Sequence, residues 1–360
     1  MENIVFVISD ITSGGGMQRV TINIANYLVN LNKYKVQIIS LTPGDKEIKY
    51  FVDDRVNIEY LPIENFSLRK HWVRASREIK KIITRDFKGT IIVDDVGYTI
   101  PVYAALHSNK NIKFICWTHM HYYHGKIFGF AWTGRRLAVS KFNKVIVLTK
   151  EDYEYYKKID KKGNIVQIYN PIDSNIEINE YKKSSKKIIS CGRLNKIKGF
   201  DYLIETAKIV FEKHSDWTWD IYGDGEEFDN LSKTIKEYGL EKNIFLKGYK
   251  KNILSLYKNY SMYVFTSREE GCPMAMIEAQ ASGLPMISFN FKCGPSDLIE
   301  EGVNGYIIND YNVKEMANKI NYLIENPKER CDFSKNSKIR LKELETDFVI
   351  NKWNTLLDNL

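Results

Sequence analysis

The sequence predicts an α/β protein built of two doubly wound parallel-sheet domains, and three observations carry that reading. The chain has 360 residues, whereas a single domain takes roughly 100 to 200. Short β-branched runs alternate with longer helical patterns, the order of βαβ units that builds parallel sheets. The alternation occurs twice, on either side of the polar stretch "QIYNPIDSNIEINEYKKSSKK". There an Asn-Pro turn opens a segment with no strand pattern, as a linker would. Domains are therefore expected at 1–170 and 171–340, with the boundary near 170–181. A closing helix over 341–360 is expected to pack back on the first domain.

In the first series "IVFVIS" (4–9) leads through a glycine corner into a helical run ending near Leu31. Then come "KVQIISL" (35–41), "NIEYLP" (57–62), a helical 68–85, "TIIVDD" (90–95), "KFICWTH" (113–119) and "KVIVLT" (144–149). The second series runs from "KKIISCGRL" (186–194) through "WTWDIYGDG" (217–225), "NIFLKG" (243–248), "SMYVFTS" (261–267) and "LPMISF" (284–289) to "NGYIIND" (304–310). No repeat of 20 to 50 residues is visible, which sets solenoids and propellers aside.

Composition narrows the class. Hydrophobic residues make up 44% and charged residues 27%, the balance of an ordinary globular protein. The five cysteines are scattered and contain no C-x-x-C pair, which argues against a disulfide framework or a zinc site and for a reducing cytosol. "MENIVFVISD" has too short an apolar run, preceded by an acid, for a signal peptide, and it reads as a first buried strand. No run reaches the roughly 18 apolar residues of a membrane span. The net charge of +8 is compatible with an anionic surface, an anionic substrate or nucleic acid, and selects none of them.

Two doubly wound domains facing each other are expected to bind ligand where their strand ends meet. After the first strand, "SDITSGGGMQRV" sets Gly14, Gly15 and Gly16 ahead of a helix starting near Met17. Glycines there allow close backbone approach, and a helix N-terminus attracts anions. The dinucleotide fingerprint fails where Arg19 replaces its last glycine, and no Gly-Lys-Ser/Thr follows for a P-loop. The loop is read as a phosphate or sugar contact, against a plain turn needing positive φ. In "SCGRLNKIKGFDYLIETA", Arg193 and Lys198 share one loop, a cationic pair suited to a diphosphate, against a solvated basic loop. "IYGDGEEF" supplies Gly223 and Gly225, where backbone can approach a nucleoside or simply turn.

"SREEGCPMAMIEAQASGLP" places Glu270 in the exit loop of a buried strand and Glu278 inside the helix that follows. Pro273 is expected at the first helical position, which needs no N–H donor, and Gly283 with Pro285 at the stop. A buried carboxylate needs donors, and sugar or ribose hydroxyls are such donors. A solvent-facing Glu278, with Glu270 merely near a helix N-terminus, remains the other reading.

Taken together, "GGG", "GRLNKIKG", "GDGEE", "EEGCPMAMIEAQASGLP" and "GVNGYII" resemble, in order and over nearly the whole chain, the retaining GT-B glycosyltransferases of family 4. The resemblance implies a GT-B fold of two Rossmann-like domains, the first for the acceptor and the second for a nucleotide-sugar donor. It implies that Arg193 and Lys198 hold the diphosphate, Glu270 the transferred sugar and Glu278 the ribose. Backbone N–H groups after Gly271, near Met274 and Ala275, would meet phosphate. Gly15 and Gly16 would let the first domain close over the diphosphate, and Gly223 would border the nucleoside. His119 matches the family's cleft histidine beside the donor sugar. "HMHYYH" looks like a metal cluster, but no carboxylate or cysteine ligand lies near it in sequence. No metal and no cofactor are therefore expected.

Retention would proceed by front-face substitution with no dedicated general base. "MISFNFKCGPSDLIEEGVNG" resembles bacterial surface-polysaccharide enzymes, which favours a UDP-linked hexose or N-acetylhexosamine over GDP-mannose. The expected acceptor is a saccharide or a polyprenyl-linked saccharide. Residues 67–85 space Arg69, Lys70, Arg74, Arg77, Lys80 and Lys81 along a helix with Trp72. That pattern suits an anionic membrane surface, or else a solvated face over a core of Val73, Ile79 and Ile82. The expected location is cytoplasmic and peripheral on the inner face of the cytoplasmic membrane. Three rivals remain: a UDP-sugar epimerase on the same fold, a non-enzymatic protein that binds anionic surfaces, and a metal-dependent enzyme using Asp94 and Asp95. No nucleic-acid-binding motif is recognisable.

Overall fold

The computed structural model describes residues 1–172, 181–339 and 341–360. The linker expected over 170–181 lies for the most part outside the described residues. The chain forms two compact units, one of Met1–Pro171 with Asp347–Leu360 and one of Ile172–Thr346.

The first unit holds β1 (Glu2–Ile8), β2 (Tyr34–Ser40), β3 (Asn57–Tyr60), β4 (Gly89–Asp94), β5 (Ile112–Trp117), β6 (Lys144–Val147) and β7 (Ile165–Gln167). Among the described residues these strands form one parallel sheet in the order β3-β2-β1-β4-β5-β6-β7. The central strands β1 and β4 are buried along most of their length, so they read as continuous Ile/Val runs, whereas the edge strand β3 alternates exposed with half-buried residues. The short β7 has no counterpart in the sequence reading, because three residues are too few to show a pattern. The helix expected over 68–85 ends at Ile82, where Ile83 turns extended at φ −91° and ψ 100°.

The second unit holds β8 (Lys187–Cys191), β9 (Thr218–Tyr222), β10 (Ile244–Leu246), β11 (Met262–Phe265), β12 (Met286–Phe289) and β13 (Gly305–Ile308). Its described strands are again parallel, in the order β10-β9-β8-β11-β12-β13. The helix Phe200–Lys213 buries Leu203, Ile204, Ala207, Val210 and Phe211, the three- and four-residue spacing of an apolar stripe. That stripe packs with Trp219, Ile221 and Val264 into the unit's core.

The helix Thr346–Asp358 starts at the last residue of the second unit and runs on into the first. Its Trp353 is fully buried, edge-on to Trp117 with ring centroids 4.8 Å apart. The Tyr34 hydroxyl donates to Asn354 Oδ1 at 2.9 Å, and Lys33 pairs with Asp358.

Candidate active site

Ligands of open parallel sheets bind outside the carboxyl ends of the strands, where the strand order reverses. In the second unit that reversal lies between β8 and β11, and the loops leaving these strands are joined by a direct ion pair. Lys198 Nζ, from the loop after β8, pairs with Glu270 Oε1, from the loop after β11. Both side chains are largely shielded from solvent. The Ser267 hydroxyl donates to the same Glu270 oxygen at 2.8 Å.

Backbone contacts hold the two loops together. Thr266 Oγ1 donates to Lys198 O at 3.1 Å, and Arg268 N donates to Ile197 O at 2.7 Å. Asn195 Oδ1 caps the 3₁₀ turn Lys196–Lys198 by accepting from Lys198 N at 3.1 Å. Arg268 forks onto Asp201 at 2.8 and 2.6 Å and stacks over the Tyr202 ring, 4.1 Å from its centroid.

Arg193 stands apart from this knot. Its side chain is 72% exposed, with Nε 3.6 Å from Glu226 Oε2. The structure thus does not bring Arg193 and Lys198 together through protein contacts. Gly223 and Gly225 press on the Arg193 loop: a Cβ on Gly223 would overlap the Gly192 carbonyl, and one on Gly225 the Leu194 carbonyl. Gly223 also has φ of 142°, so glycine is required there on both counts.

Pro273, expected at the first helical position, is instead the residue before it. Its backbone is extended at φ −69° and ψ 120°, and its carbonyl accepts the first helical bond from Met276 N at 2.9 Å. The helix therefore begins at Met274, and the amides of Met274 and Ala275 precede its first internal bond. Gly271 is buried just upstream. Glu278 is buried as well, and the Tyr257 hydroxyl donates to its Oε2 at 3.2 Å. Of the two readings open for Glu278, the inward one holds. Gly283, at φ 69°, closes the helix by donating to Gln280 O at 2.9 Å.

In the first unit the order reverses between β1 and β4. The helix Gly16–Asn30 starts one residue earlier than expected, with Gly15 as its cap at φ −92° and ψ 173°. None of Gly14, Gly15 and Gly16 has positive φ, so turn geometry does not demand glycine. Asp10 braces the loop, accepting from Thr12 N at 2.9 Å and Thr12 Oγ1 at 2.6 Å, while its carbonyl accepts from Gln18 Nε2 at 2.9 Å.

Asp94, at the end of β4, accepts from Thr21 Oγ1 at 2.6 Å across the reversal. Burial pushes its carboxyl well above the usual range. Asp95 has the left-handed φ of 86°, and its carboxylate accepts from Val96 N at 2.6 Å.

His119 follows β5 by two residues, its ring 4.5 Å from that of Trp117. Burial lowers its pKa to about 3, so the imidazole is neutral, and Nε2 has no hydrogen-bond partner. His121 Nδ1 accepts from Tyr123 N at 3.1 Å, and the His124 carbonyl accepts from Arg135 Nη2 at 3.1 Å. Among the described residues no three His, Cys, Asp or Glu side chains are grouped as a metal ion requires.

Residues 171–340 match the family profile of glycosyl transferases group 1, and residues 14–175 that of glycosyltransferase family 4. An uncharacterized glycosyltransferase of Haemophilus influenzae is 31% identical over 99% of this chain and 100% of its own length. The chain belongs to the family 4 glycosyltransferases.

The amylovoran biosynthesis glycosyltransferase AmsD of Erwinia amylovora is 29% identical to this glycosyltransferase, over 99% of the chain and 100% of AmsD. The crystal structure of S. aureus TarM with fondaparinux, α-GlcNAc-glycerol and UDP matches with a TM-score of 0.84 at 20% identity, covering 99% of this chain and 100% of that one. The glycosyltransferase therefore has the GT-B fold. Sequence reasoning had no access to Tyr257, which reaches Glu278 from the 3₁₀ turn Leu254–Asn259. Ser267 was within reach, since Ser-x-x-Glu is the spacing of a capping box.

Proposed function

We propose that this glycosyltransferase moves a hexose or N-acetylhexosamine from a UDP-sugar to a saccharide or polyprenyl-linked saccharide in bacterial surface-polysaccharide synthesis. The proposed reaction needs no metal or cofactor and retains configuration. The observation that carries the reading is the Lys198–Glu270 pair across the β8/β11 reversal. One cation and one carboxylate there suit a ligand with an anionic part beside a hydroxylated part. AmsD, by name an amylovoran biosynthesis enzyme, and TarM, crystallised with UDP, support the polysaccharide and donor assignments.

In this reading Lys198 leaves Glu270 for the donor diphosphate, joined by the exposed guanidinium of Arg193. Glu270 then accepts hydroxyls of the sugar, and Glu278, fixed by Tyr257, those of the ribose. The amides of Met274 and Ala275, entered through Gly271, meet phosphate at the positive end of the helix. Gly223 lets backbone approach the nucleoside, and Gly15 and Gly16 leave backbone open to a phosphate. His119 offers a neutral hydrogen-bonding group to the reacting sugar.

The acceptor oxygen bonds to the anomeric carbon as the bond to the β-phosphate oxygen breaks. The hydroxyl proton passes to the departing phosphate. Chemistry is then chiefly positioning and charge stabilisation on the leaving group. The basic helix Leu68–Ile82 is assigned to an anionic membrane surface, in line with a lipid-linked acceptor.

The test is transfer from labelled UDP-sugars with EDTA present. Lys198→Ala is expected to lose about 2.7–4 kcal/mol of barrier lowering, roughly 10²–10³ in kcat, as for one oxyanion donor. Wild-type transfer by Lys198→Ala or Glu270→Ala would overturn the assignment, and loss of activity in EDTA would overturn metal independence. Sugar isomer formed without any acceptor would move the reading to an epimerase.

A further inference from the structure

Asp220 breaks the pattern of the strand that holds it. It sits in the middle of β9, where Trp219 and Ile221 turn into the core shared with the helix Phe200–Lys213. Thr218, Asp220 and Tyr222 therefore face the opposite side of the sheet. A carboxyl group is disfavoured inside a strand and costly to bury without donors, yet only 5% of Asp220 is exposed. One oxygen is provided for: the Tyr260 hydroxyl donates to Oδ2 at 2.7 Å, and the Tyr222 hydroxyl lies 3.0 Å from that of Tyr260. Oδ1 takes no hydrogen bond from the described residues.

Asp220 lies in the wall of a cavity of about 640 Å³, within the size range of small-molecule sites. Most of the lining leads into strands, with residues 182–187 entering β8, Asp216 preceding β9 and Tyr260 preceding β11. The cavity is thus built at the amino edge of the sheet, whereas the Lys198–Glu270 pair belongs to loops leaving its carboxyl edge. Four lysines border it: Lys182, Lys186, Lys187 and Lys247. Lys186 is taken up by Asp216 at 2.5 Å. Lys187 and Lys247 are exposed and form no ion pair among the described residues.

We propose that this cavity binds an anionic saccharide, at a site separate from the donor: sugar hydroxyls donate to Asp220 Oδ1, and a carboxylate or phosphate of the same molecule meets Lys187 and Lys247. The chemistry of the wall selects that class. A carboxyl oxygen left without a donor calls for hydroxyls, and the surplus of lysines over Asp216 and Asp220 calls for an anionic group. A bare anion would be repelled by Asp220, and a neutral sugar would leave the lysines unused. Two sources carry this chemistry, a soluble sugar phosphate or sugar acid and an acidic residue of a polysaccharide chain. The proposal does not rest on the donor assignment, because no donor contact enters it.

The test is calorimetric titration of the full chain with glucose 6-phosphate, galacturonate and tetragalacturonate, with glucose and inorganic phosphate as controls. The anionic saccharides are expected to bind, and each control to bind roughly tenfold more weakly or less. Asp220→Asn, whose amide oxygen still accepts from Tyr260, is expected to weaken saccharide binding roughly tenfold or more. Lys187→Gln with Lys247→Gln is expected to weaken it about two- to fivefold per cation and to flatten its salt dependence. Both lysines are exposed, so their variant keeps the test open should Asp220→Asn lower the melting temperature. Lys198→Ala is expected to keep the binding, which separates this site from the donor loops. Tighter binding of glucose 6-phosphate than of tetragalacturonate assigns the site to a soluble sugar phosphate, and the reverse to a polysaccharide chain; either upholds it. No binding of any saccharide, wild-type binding by Asp220→Asn, phosphate binding as tight as that of glucose 6-phosphate, or loss of binding in Lys198→Ala would overturn the proposal.

Discussion

A carboxyl group is costly to bury unless donors meet it, and Glu278 and Asp94 each accept from a hydroxyl. Glu278 is given a donor, the Tyr257 hydroxyl. Tyr257→Phe removes it, and a loss of about 1–3 kcal/mol in unfolding free energy is expected. If Glu278 binds ribose, the same variant raises the donor KM more than it lowers kcat. Asp94 accepts from the Thr21 hydroxyl, and burial raises its carboxyl well above the usual range in the folded state. Between the unfolded value of about 3.9 and that raised value the folded state holds more protons, so this contribution to stability falls as pH rises. Denaturant titrations should show Asp94→Asn gaining on wild type as pH climbs from about 4 toward neutrality. His119 has the opposite sign. With a folded pKa of about 3, its contribution is complete above about 6.5 and is lost as pH falls, by at most about 1.4 kcal/mol per pH unit. His119→Gln should flatten that acid limb.

At the scale of elements, the parts of the site legible in the sequence are those where backbone chemistry is local. Glycines and cations just past β-branched runs mark strand ends, and strand ends of parallel sheets are where ligands go. Gly223 and Gly225 illustrate why: each touches the carbonyl of a loop that carries Arg193. Gly223→Ala is expected to destabilise by about 1–3 kcal/mol through overpacking and to reduce the thermal shift produced by UDP. Gly239 also has a positive φ, 68°, but open space around it, and Gly239→Ala should leave the UDP shift intact. What was not legible depended on distance in sequence. Glu278 sits where all residues from Met276 to Ala281 are buried, so periodicity could not choose its face, and Tyr257 arrives from another element. Pro273 was displaced by one position because its φ suits both the cap and the first helical turn, and only ψ separates them. The two-sheet architecture was readable because parallel strands are buried on both faces and leave unbroken apolar runs; β7 was too short to leave one.

Over the whole molecule, the chain passes from the first unit to the second near Pro171 and returns near Thr346. The passages are tied together, with Ile172 N donating to Leu344 O at 2.8 Å and Thr346 Oγ1 to Ile172 O at 2.8 Å. The first unit is thus assembled from both ends of the chain. Trp353→Ala is expected to cost about 3–5 kcal/mol in the first unit, lowering its melting temperature while the UDP-dependent shift of the second unit persists. Synthesis gives this arrangement a further meaning. A ribosome adding about 5–20 residues per second needs roughly 10–40 s to travel from Pro171 to the last helix. For that interval Trp117 waits without its Trp353 cover, while the second unit is completed as one uninterrupted stretch. The half whose translation starts first is therefore the half whose residues are completed last.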